Sequence, residues 1–347
     1  MATKVRWGIL STAYIAQDEL LPAFTDASNT EVVAIASSNN KVFEIASNFR
    51  IPKIYRTYEE LLDDPDIDAV YIPLPNALHS TWVKKTAEKG KHVFCEKPAA
   101  LTVIEAKEMI EVCKKNSVMF MEGFMYQFHP QHKRVKEIIA SGEIGEVKIM
   151  RVSLSFFLED QIGNIRMNQK LGGGSIYDVG CYCIHSIRNI LNTEPKRVFA
   201  STQNDISNKV DMSVTGIFEL ENGIIAEFDA AMDRTRVGQY EIIGTKGTVQ
   251  APRAFIPQNG NAHIVIVDES GNYRVEDLYG QQYTLEVEYF SQLILEGKMQ
   301  EGLLEDTIQN MNAIEACFKS IEKETFVNLS LEGLSYARQT KEQFFKK

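Results

Sequence analysis

Short apolar runs alternate with helical patterns along the first 123 residues, and this alternation constrains the fold more than any other feature. The runs predict strands at Val5–Leu10, Glu31–Ser37, Ala69–Pro73, His92–Cys95 and Val118–Gly123. Helical patterns lie between them at Lys41–Phe49, Tyr58–Leu62, Ser80–Lys89 and Thr102–Asn116. Strands that are joined by helices pair in parallel, so the pattern predicts an α/β Rossmann domain of the dinucleotide-binding kind over residues 1–123.

The pattern changes after residue 124, where strands follow one another closely. They are predicted at Glu146–Phe157, Arg197–Gln203, Met212–Leu220, Gly223–Ala231, Gln239–Ile243, Thr248–Ala251 and His263–Val267. Helices are predicted at His132–Ser141, Gly174–Leu191, Glu286–Leu295, Leu303–Lys319 and Leu331–Phe345. Residues 124–347 are therefore expected to form an α+β domain with a large, mostly antiparallel open sheet. Whether the C-terminal helices pack back on the first domain stays open.

Charge and composition exclude several classes of partner. The net charge of -10 argues against nucleic acid, because proteins that bind it usually carry a basic face. No apolar run reaches the roughly 18 residues of a membrane span, and no apolar targeting segment precedes the first strand. Five cysteines without a framework pattern are typical of a reducing, cytoplasmic setting.

The turn after the first strand is a candidate for binding a dinucleotide. Ser11, Ala13 and Ala16 occupy the positions of the Gly-x-Gly-x-x-Gly pattern, in which small residues let backbone N–H groups approach a pyrophosphate. The pattern is not matched in glycine, and the alternative is an ordinary tight turn from strand to helix. The cofactor contacts predicted here are Ser11, Thr12, Ala13, Tyr14 and Ile15.

The end of the second predicted strand bears on which dinucleotide binds. An acidic residue at this place would bind a ribose 2′-hydroxyl and repel a 2′-phosphate. The sequence instead has Ser37, Ser38, Asn39, Asn40 and Lys41, with no carboxylate. NADP is therefore favoured, with NAD possible, and the alternative is that these are only turn residues.

Three further residues are candidates for chemistry. Lys97 follows the fourth predicted strand, where a parallel strand would present a charge to a ligand. Asp178 and Tyr182 are four residues apart, which places them on one helical face. The plain alternatives are a surface ion pair of Lys97 with Glu96, a surface carboxylate and a packing aromatic.

Five motifs in order resemble the glucose-fructose oxidoreductase / inositol dehydrogenase / MocA (Gfo/Idh/MocA) family. They are Gly8–Ala13, Pro73–His79, Glu96–Pro98, Met121–Tyr126 and Gly172–Tyr182. The form Asp178-x-x-x-Tyr182 is similar to the branch that holds xylose dehydrogenase and dimeric dihydrodiol dehydrogenase, since the inositol-type branch has His in place of Tyr182. Many members that use NADP carry Arg where this chain has Ser38, and Lys41 is the substitute that we predict.

The resemblance implies hydride transfer between a nicotinamide and a carbon of a sugar or a cyclic polyol or diol. Tyr182 would be the acid and base, Lys97 its assisting cation, and Asp178 a group that orients the substrate. It also implies cofactor contacts from Pro73, Leu74, Asn76, His79, Glu96 and Lys97, and substrate contacts from Lys97, Phe156, Arg166, Asp178, Tyr182 and His185. No metal site is expected, because His129 and His132 lack partners at ligand spacing.

Other functions stay open at this point. A trans-dihydrodiol dehydrogenase or a dicarbonyl-sugar reductase would share the same site residues. A non-catalytic NADP-sensing regulator would need the cofactor turn but neither Lys97 nor Tyr182. Strands that contain Ile217–Phe218 and Ile224–Ala226 are richer in apolar residues than alternation requires, so a homo-oligomer, a dimer or larger, is predicted through the C-terminal sheet.

Overall fold

A computed structural model describes residues 4–205 and 209–329 of the chain. The chain divides into two compact units. The first comprises Met1–Met125 with Gln282–Ile308, and the second comprises Tyr126–Gln281 with Gln309–Lys347. The predicted helix Leu331–Phe345 lies outside the described residues.

Residues 4–125 contain six strands and five α-helices. The strands are β1 (Val5–Leu10), β2 (Thr30–Ala36), β3 (Lys53–Tyr55), β4 (Ala69–Ile72), β5 (His92–Glu96) and β6 (Phe120–Gly123). The helices are α1 (Leu21–Asp26), α2 (Lys41–Asn48), α3 (Tyr58–Leu62), α4 (His79–Glu88) and α5 (Val103–Lys115). A π-helical turn at Ala16–Leu20 precedes α1, and a 3₁₀ turn at Asn76–Leu78 precedes α4.

The remaining described residues contain nine strands and four α-helices. The strands are β7 (Val147–Phe157), β8 (Pro195–Asp205), β9 (Val210–Leu220), β10 (Ile225–Ala231), β11 (Asp233–Gly244), β12 (Gly247–Ala251), β13 (Asn261–Asp268), β14 (Tyr273–Tyr279) and β15 (Val327–Asn328). The helices are α6 (Pro130–Ala140), α7 (Cys181–Leu191), α8 (Gln282–Glu296) and α9 (Glu301–Lys323). A π-helical turn at Ile176–Gly180 leads into α7, and short 3₁₀ turns lie at Met125–Phe128, Ile165–Met167 and Gln169–Leu171.

The sheet of the first unit is parallel throughout, with the strand order β3-β2-β1-β4-β5-β6. This confirms the predicted Rossmann domain. The strand predicted third, at 69–73, is the fourth, because β3 had been missed. That strand has only three residues, all half-buried at the sheet edge, so it has no apolar run to reveal it.

Helix α8 packs within the first unit although it lies more than 150 residues further along the chain. Phe290 on α8 joins a buried cluster of rings with Trp7, Phe24 and Phe94. The Trp7 indole N–H also donates to the Ser291 hydroxyl at 3.2 Å. The core of the nucleotide-binding fold is thus completed by a C-terminal helix.

The sheet of the second unit has nine strands in the order β14-β13-β12-β11-β7-β10-β9-β8-β15. Each neighbouring pair is antiparallel except β7 and β10, which are parallel. The predicted large, mostly antiparallel sheet is confirmed. Strand β14 was missed because it is largely exposed and mixes charged residues with apolar ones.

Within residues 4–205 and 209–329, no helix has the length and apolar character that a membrane crossing requires.

Candidate functional site

The turn after β1 keeps the backbone conformation of a glycine at Ser11. Ser11 has φ 87°, a left-handed value that residues with a side chain rarely adopt. Its N–H donates to Ala36 O at 2.8 Å, and its hydroxyl donates to Pro73 O at 3.2 Å and accepts from the Ala13 N–H at 3.2 Å. The hydroxyl therefore holds the turn to the loop after β4, and the predicted contact of Ser11 with a cofactor stays a prediction.

The residues of this turn are partly accessible to solvent, which fits the approach of a dinucleotide. Thr12, Ala13 and Ile15 are half-buried, and Tyr14 is exposed at the start of the helix. The Gln17 amide closes the turn by donating to Thr12 O at 2.8 Å. The backbone N–H groups of such a helix start are suited to a pyrophosphate.

The loop after β2 has a cation that the sequence prediction missed. Arg56, which follows β3, donates to the Ser38 carbonyl and to Asn40 Oδ1, the latter at 3.3 Å. Its guanidinium lies over the Phe43 ring, 5.5 Å from the centroid. Position could have revealed it, because β2 and β3 are adjacent parallel strands and Arg56 follows the second of them. Lys41, the predicted cation, is exposed at the start of α2.

The same loop is held by backbone and side-chain hydrogen bonds. The buried Ser37 donates its N–H to Tyr55 O at 3.1 Å and accepts from the Asn39 N–H at 3.1 Å. Asn39 Oδ1 in turn accepts from the Lys41 N–H at 3.0 Å. If Ser37 contacts the cofactor as predicted, its hydroxyl must do so while it also accepts from the Asn39 N–H.

Glu96 and Lys97 lie at the end of β5. Glu96 accepts from the Tyr71 hydroxyl at 2.7 Å. Burial raises the pKa of the Glu96 carboxyl, and the Tyr71 hydroxyl and the charge of Lys97 oppose that rise. Lys97 therefore lies close enough to favour ionised Glu96. The two charges thus interact electrostatically, and the role of Lys97 stays a prediction.

His79 lies inside the fold rather than at its surface. It is fully buried, and its Nδ1 and Nε2 lie 2.8 Å from Pro98 O and 2.7 Å from Leu74 O. Burial, aided by the charge of Lys97, lowers the pKa of His79 despite these two carbonyls. The imidazole joins the loops after β4 and β5, and the predicted contact of His79 with a cofactor stays a prediction. Asn76 begins the 3₁₀ turn that lies between β4 and α4.

In the second unit, an ion pair joins two of the predicted substrate residues. Arg166 Nε donates to Asp178 Oδ2 at 2.6 Å, and the Arg166 guanidinium lies 5.7 Å from the centroid of the Phe156 ring. Asp178 raises the pKa of Arg166, burial lowers it, and the nearby Tyr182 phenol adds to the rise. Phe156, Arg166, Asp178 and Tyr182 therefore form one cluster.

The glycines before this helix lie against other parts of the protein. A Cβ on Gly173 would lie 2.4 Å from Arg166 O, and one on Gly174 would lie 2.1 Å from Asp211 Oδ1. Gly174 N–H also donates to Arg166 O at 3.0 Å. In this structure the glycines thus permit close packing of the protein on itself.

Asp211 is a structural residue that sequence reasoning missed. Its Oδ2 accepts from the Ser175 hydroxyl at 2.6 Å and from the Ile176 N–H at 2.7 Å. These bonds fix the start of the helical segment that presents Asp178 and Tyr182. No local sequence signal marks Asp211, because it lies 36 residues after Ser175 on β9.

Aromatic rings enclose Tyr182, which is 8% exposed. The ring centroids of Tyr126 and Phe255 lie 6.2 Å and 6.0 Å from that of Tyr182. The Tyr126 hydroxyl is bonded to His185 Nδ1 at 2.6 Å. His185 is thus fixed by a neighbour of Tyr182 and is itself buried.

Two other buried histidines of the second unit bind protein groups. His129 Nε2 lies 3.0 Å from Gly260 O. His132 lies 2.9 Å from the Tyr240 hydroxyl and 2.8 Å from Ala254 O. Among residues 4–205 and 209–329, no group of three or more His, Cys, Asp or Glu could hold a metal ion.

Two family models match the chain. The description "Oxidoreductase family, NAD-binding Rossmann fold" applies to residues 5–124, and "GFO/IDH/MocA C-terminal domain" applies to residues 132–250. The chain is 36% identical to D-xylose 1-dehydrogenase (NADP(+)) 2 of Haloferax volcanii, over 93% of this chain and 99% of the relative. It is 33% identical to trans-1,2-dihydrobenzene-1,2-diol dehydrogenase of Xenopus tropicalis, over 73% of this chain and 76% of the relative.

Solved structures are similar over nearly the whole chain. A 3-ketoreductase from Actinomadura kijaniata, in complex with NADP and TDP-benzene, matches with a TM-score of 0.88 and 27% identity, over 92% of this chain and 98% of that one. An aldose-aldose oxidoreductase from Caulobacter crescentus, in complex with glycerol, matches with a TM-score of 0.88 and 26% identity, over 94% of this chain and 100% of that one.

Proposed function

The chain belongs to the Gfo/Idh/MocA oxidoreductase family, and we propose that it is an NADP-dependent dehydrogenase or reductase of a sugar or a cyclic diol. The observation that carries this proposal is the cluster of Arg166, Asp178 and Tyr182, in which a phenol lies beside a held ion pair. A packing aromatic needs no such charged neighbours.

Tyr182 is proposed to take the proton of the substrate hydroxyl in oxidation and to return it in reduction. A bound nicotinamide dinucleotide supplies the acceptor for the hydride that leaves the same carbon. An unperturbed tyrosine with a pKa near ~10 is a weak base at neutral pH, so a neighbouring positive charge is needed to stabilise its phenolate. Lys97 is proposed to supply that positive charge, and also to stabilise the charge that develops on the reacting oxygen.

The resemblance implies that Asp178 orients the substrate. Its Oδ2 accepts from Arg166 Nε at 2.6 Å. Asp178 is therefore proposed to orient Arg166, and through it the polar side of the substrate pocket that Phe156 borders.

NADP is favoured over NAD by the loop after β2. This loop offers no carboxylate, and Arg56 holds a guanidinium over Phe43 next to Ser38 and Asn40. A planar guanidinium suits a 2′-phosphate, which it can bind through two N–H groups. Support also comes from the relatives, because the xylose dehydrogenase is named for NADP and the 3-ketoreductase was solved with it.

The substrate class rests on the named relatives. They act on xylose and on a dihydrobenzene diol, and both substrates present neighbouring hydroxyls on a ring. We propose an aldose or cyclic diol of similar size for this chain. A reductase of dicarbonyl sugars would use the same groups in the reverse direction.

The first test is a turnover assay with NADP and NAD, separately, against a panel of aldoses and cyclic diols. We expect NADP reduction with one substrate class, and a loss of ~10²–10⁴-fold in kcat for Tyr182→Phe, because that variant cannot exchange the proton. Tyr177→Phe, which removes a hydroxyl five residues earlier, is the matched control and should retain activity. Unchanged turnover of Tyr182→Phe would refute the assignment.

A homo-oligomer joined through the second unit's sheet is also proposed. Ile217 on β9 and Tyr273, Val275 and Tyr279 on β14 are exposed apolar or aromatic side chains of that sheet. Apolar groups in such positions favour burial against another surface. Small-angle scattering should give at least twice the mass of one chain, and a monomer at micromolar concentration would contradict the proposal.

A further inference from the structure

Ser11, in the turn after β1, has a backbone conformation that rarely accommodates a side chain. Its φ of 87° is left-handed, a value that glycine adopts readily and other residues seldom do. Residues held in such sparsely populated conformations concentrate at ligand-binding sites, where the surrounding structure keeps them in place. The hydroxyl is the group that a serine supplies here and a glycine would not.

The Ser11 hydroxyl is engaged by two backbone groups. It donates to Pro73 O at 3.2 Å and accepts from the Ala13 N–H at 3.2 Å. A hydroxyl has one proton, so while it donates to Pro73 it can act towards the turn only as an acceptor. A phosphate oxygen is also an acceptor, and in this arrangement the hydroxyl has no proton to offer it.

The Ala13 N–H lies at the start of a helical segment. Ala13 O accepts from the Ala16 and Gln17 N–H groups at 3.0 Å and 3.2 Å, and these bonds begin that segment. N–H groups at a helix start have no partner within the helix, and in a dinucleotide-binding turn they are the groups that approach the pyrophosphate. The Ser11 hydroxyl therefore occupies one of these N–H groups with an oxygen of the protein itself.

Charge decides which oxygen the Ala13 N–H prefers. A phosphate oxygen carries negative charge, and hydrogen bonds to charged acceptors are roughly twice as strong as neutral ones. A pyrophosphate can therefore displace the neutral Ser11 hydroxyl from the Ala13 N–H. The hydrogen bond within the protein that is lost in this exchange reduces the net binding free energy of the cofactor.

We propose that the Ser11 hydroxyl competes with the cofactor pyrophosphate for the Ala13 N–H, and that it thereby weakens the binding of NADP and NAD alike. Both dinucleotides contain the same pyrophosphate, so the competition does not affect the choice between them. Weaker binding of the cofactor favours its release, a step that limits turnover in many enzymes. The inference requires only dinucleotide binding, and it is independent of the proposed substrate and of Tyr182.

The test is the dissociation constant of NADP and of NAD for wild type, Ser11→Ala and Ser11→Gly, measured by calorimetric titration without substrate. Ser11→Ala removes the hydroxyl and keeps the Cβ, whereas Ser11→Gly removes both and suits the left-handed backbone. We expect both variants to bind both dinucleotides roughly 2- to 10-fold more tightly, which is the net effect of one hydrogen bond. Adenosine 2′-phosphate, which lacks the pyrophosphate, should bind to wild type and to both variants with equal affinity.

Ser117→Gly is the matched control for these variants. Ser117 is another serine of the first unit with a left-handed backbone, at φ 55°, and it is exposed after α5. Relief of the same conformational cost at this position should leave the dissociation constants of NADP and NAD unchanged. The control thus separates loss of the Ser11 hydroxyl from a general effect of backbone strain.

Three results would overturn the inference. Unchanged affinities in both Ser11 variants would mean that the pyrophosphate does not take the Ala13 N–H. Weaker binding in both would make the hydroxyl a direct contact of the phosphate. Tighter binding in Ser11→Gly alone would assign the effect to relief of strain. None of these measurements involves turnover, so their outcome is separate from the test of Tyr182→Phe.

Discussion

The two units hold their candidate residues by different kinds of contact. In the first unit, the candidate loops are tied to backbone groups: the Ser11 and Ser37 N–H groups donate to the ends of neighbouring strands, and the His79 ring bonds to two loop carbonyls. In the second unit, side chains hold one another, as in Arg166 with Asp178 and Tyr126 with His185. A site tied to backbone groups depends on the sheet more than on pairs of side chains. A site built from charged and polar side chains depends on each partner.

The largest expected effect concerns Lys97. It belongs to the first unit, but its proposed role depends on its side chain rather than on a backbone group. Lys97→Met should lower kcat by at least ~100-fold, since the developing charge on the reacting oxygen loses its stabilising cation. Cofactor binding should stay near wild type, because most of the predicted cofactor contacts lie in the turn after β1 and in the loops after β2 and β4. Steady-state kinetics and a cofactor titration measure the two effects separately.

Lys114→Met is the matched control for that experiment. It removes an exposed lysine from the last turn of α5 in the same unit. Its kcat should match wild type. Full activity in Lys97→Met would assign that lysine to the ion pair with Glu96 alone.

The next effect in size concerns the choice of cofactor. Arg56→Gln should raise KM for NADP about tenfold and leave KM for NAD unchanged, because only the former carries the phosphate that a guanidinium binds. Lys41→Gln tests the cation that the sequence had favoured, and little change is expected. The opposite pattern, with Lys41→Gln alone raising KM for NADP, would return the contact to Lys41.

Residues revealed by the sequence differ physically from those it concealed. Apolar runs such as Val5–Leu10 identify strands because burial on both faces demands them. The short edge strand β3 and the exposed strand β14 are not buried on both faces. Their sequences therefore contain no apolar run that would identify them as strands. Arg56 and Asp211 were missed for another reason, because their roles arise only from contacts between elements that are distant along the chain.

The spacing of Asp178 and Tyr182 was informative because residues four positions apart lie on the same face of a helix. The ion pair with Arg166, 12 residues earlier, is a contact that spacing does not encode. The resemblance identified Arg166 as a site residue. Its ion-pair partner, Asp178, became known only from the structure.

A stability measurement sharpens the contrast at the glycine turn. Gly173→Ala should destabilise the protein by roughly 1–3 kcal/mol, because its Cβ would meet the Arg166 carbonyl at 2.4 Å and something must shift. Gly238→Ala is the control, since the nearest atom to its Cβ, Leu154 Cδ1, is 3.7 Å away. Urea unfolding followed by circular dichroism measures both. Equal midpoints for the two variants would show that the turn can relax at no cost.

The smallest expected effect concerns a buried histidine of the second unit. His132 is satisfied as a neutral ring, because it can accept from the Tyr240 hydroxyl and donate to Ala254 O. Burial lowers its pKa to about 3. The unfolded chain, with a histidine pKa near ~6.5, then binds more protons than the folded one between about pH 3 and 6.5, so stability should fall as pH decreases through that window.

His132→Gln should remove this contribution, which is at most about 1.4 kcal/mol per pH unit. Glutamine keeps one acceptor and one donor but cannot take up the proton, so the variant should be less stable at pH 7 and less sensitive to acid. Urea midpoints at pH 7, 6 and 5 measure the slope, and His263→Gln on the half-buried β13 position serves as the control. An unchanged slope in His132→Gln would mean that acid sensitivity arises elsewhere, and the side-chain contacts of the second unit would then be less sensitive to charge than the comparison of the two units implies.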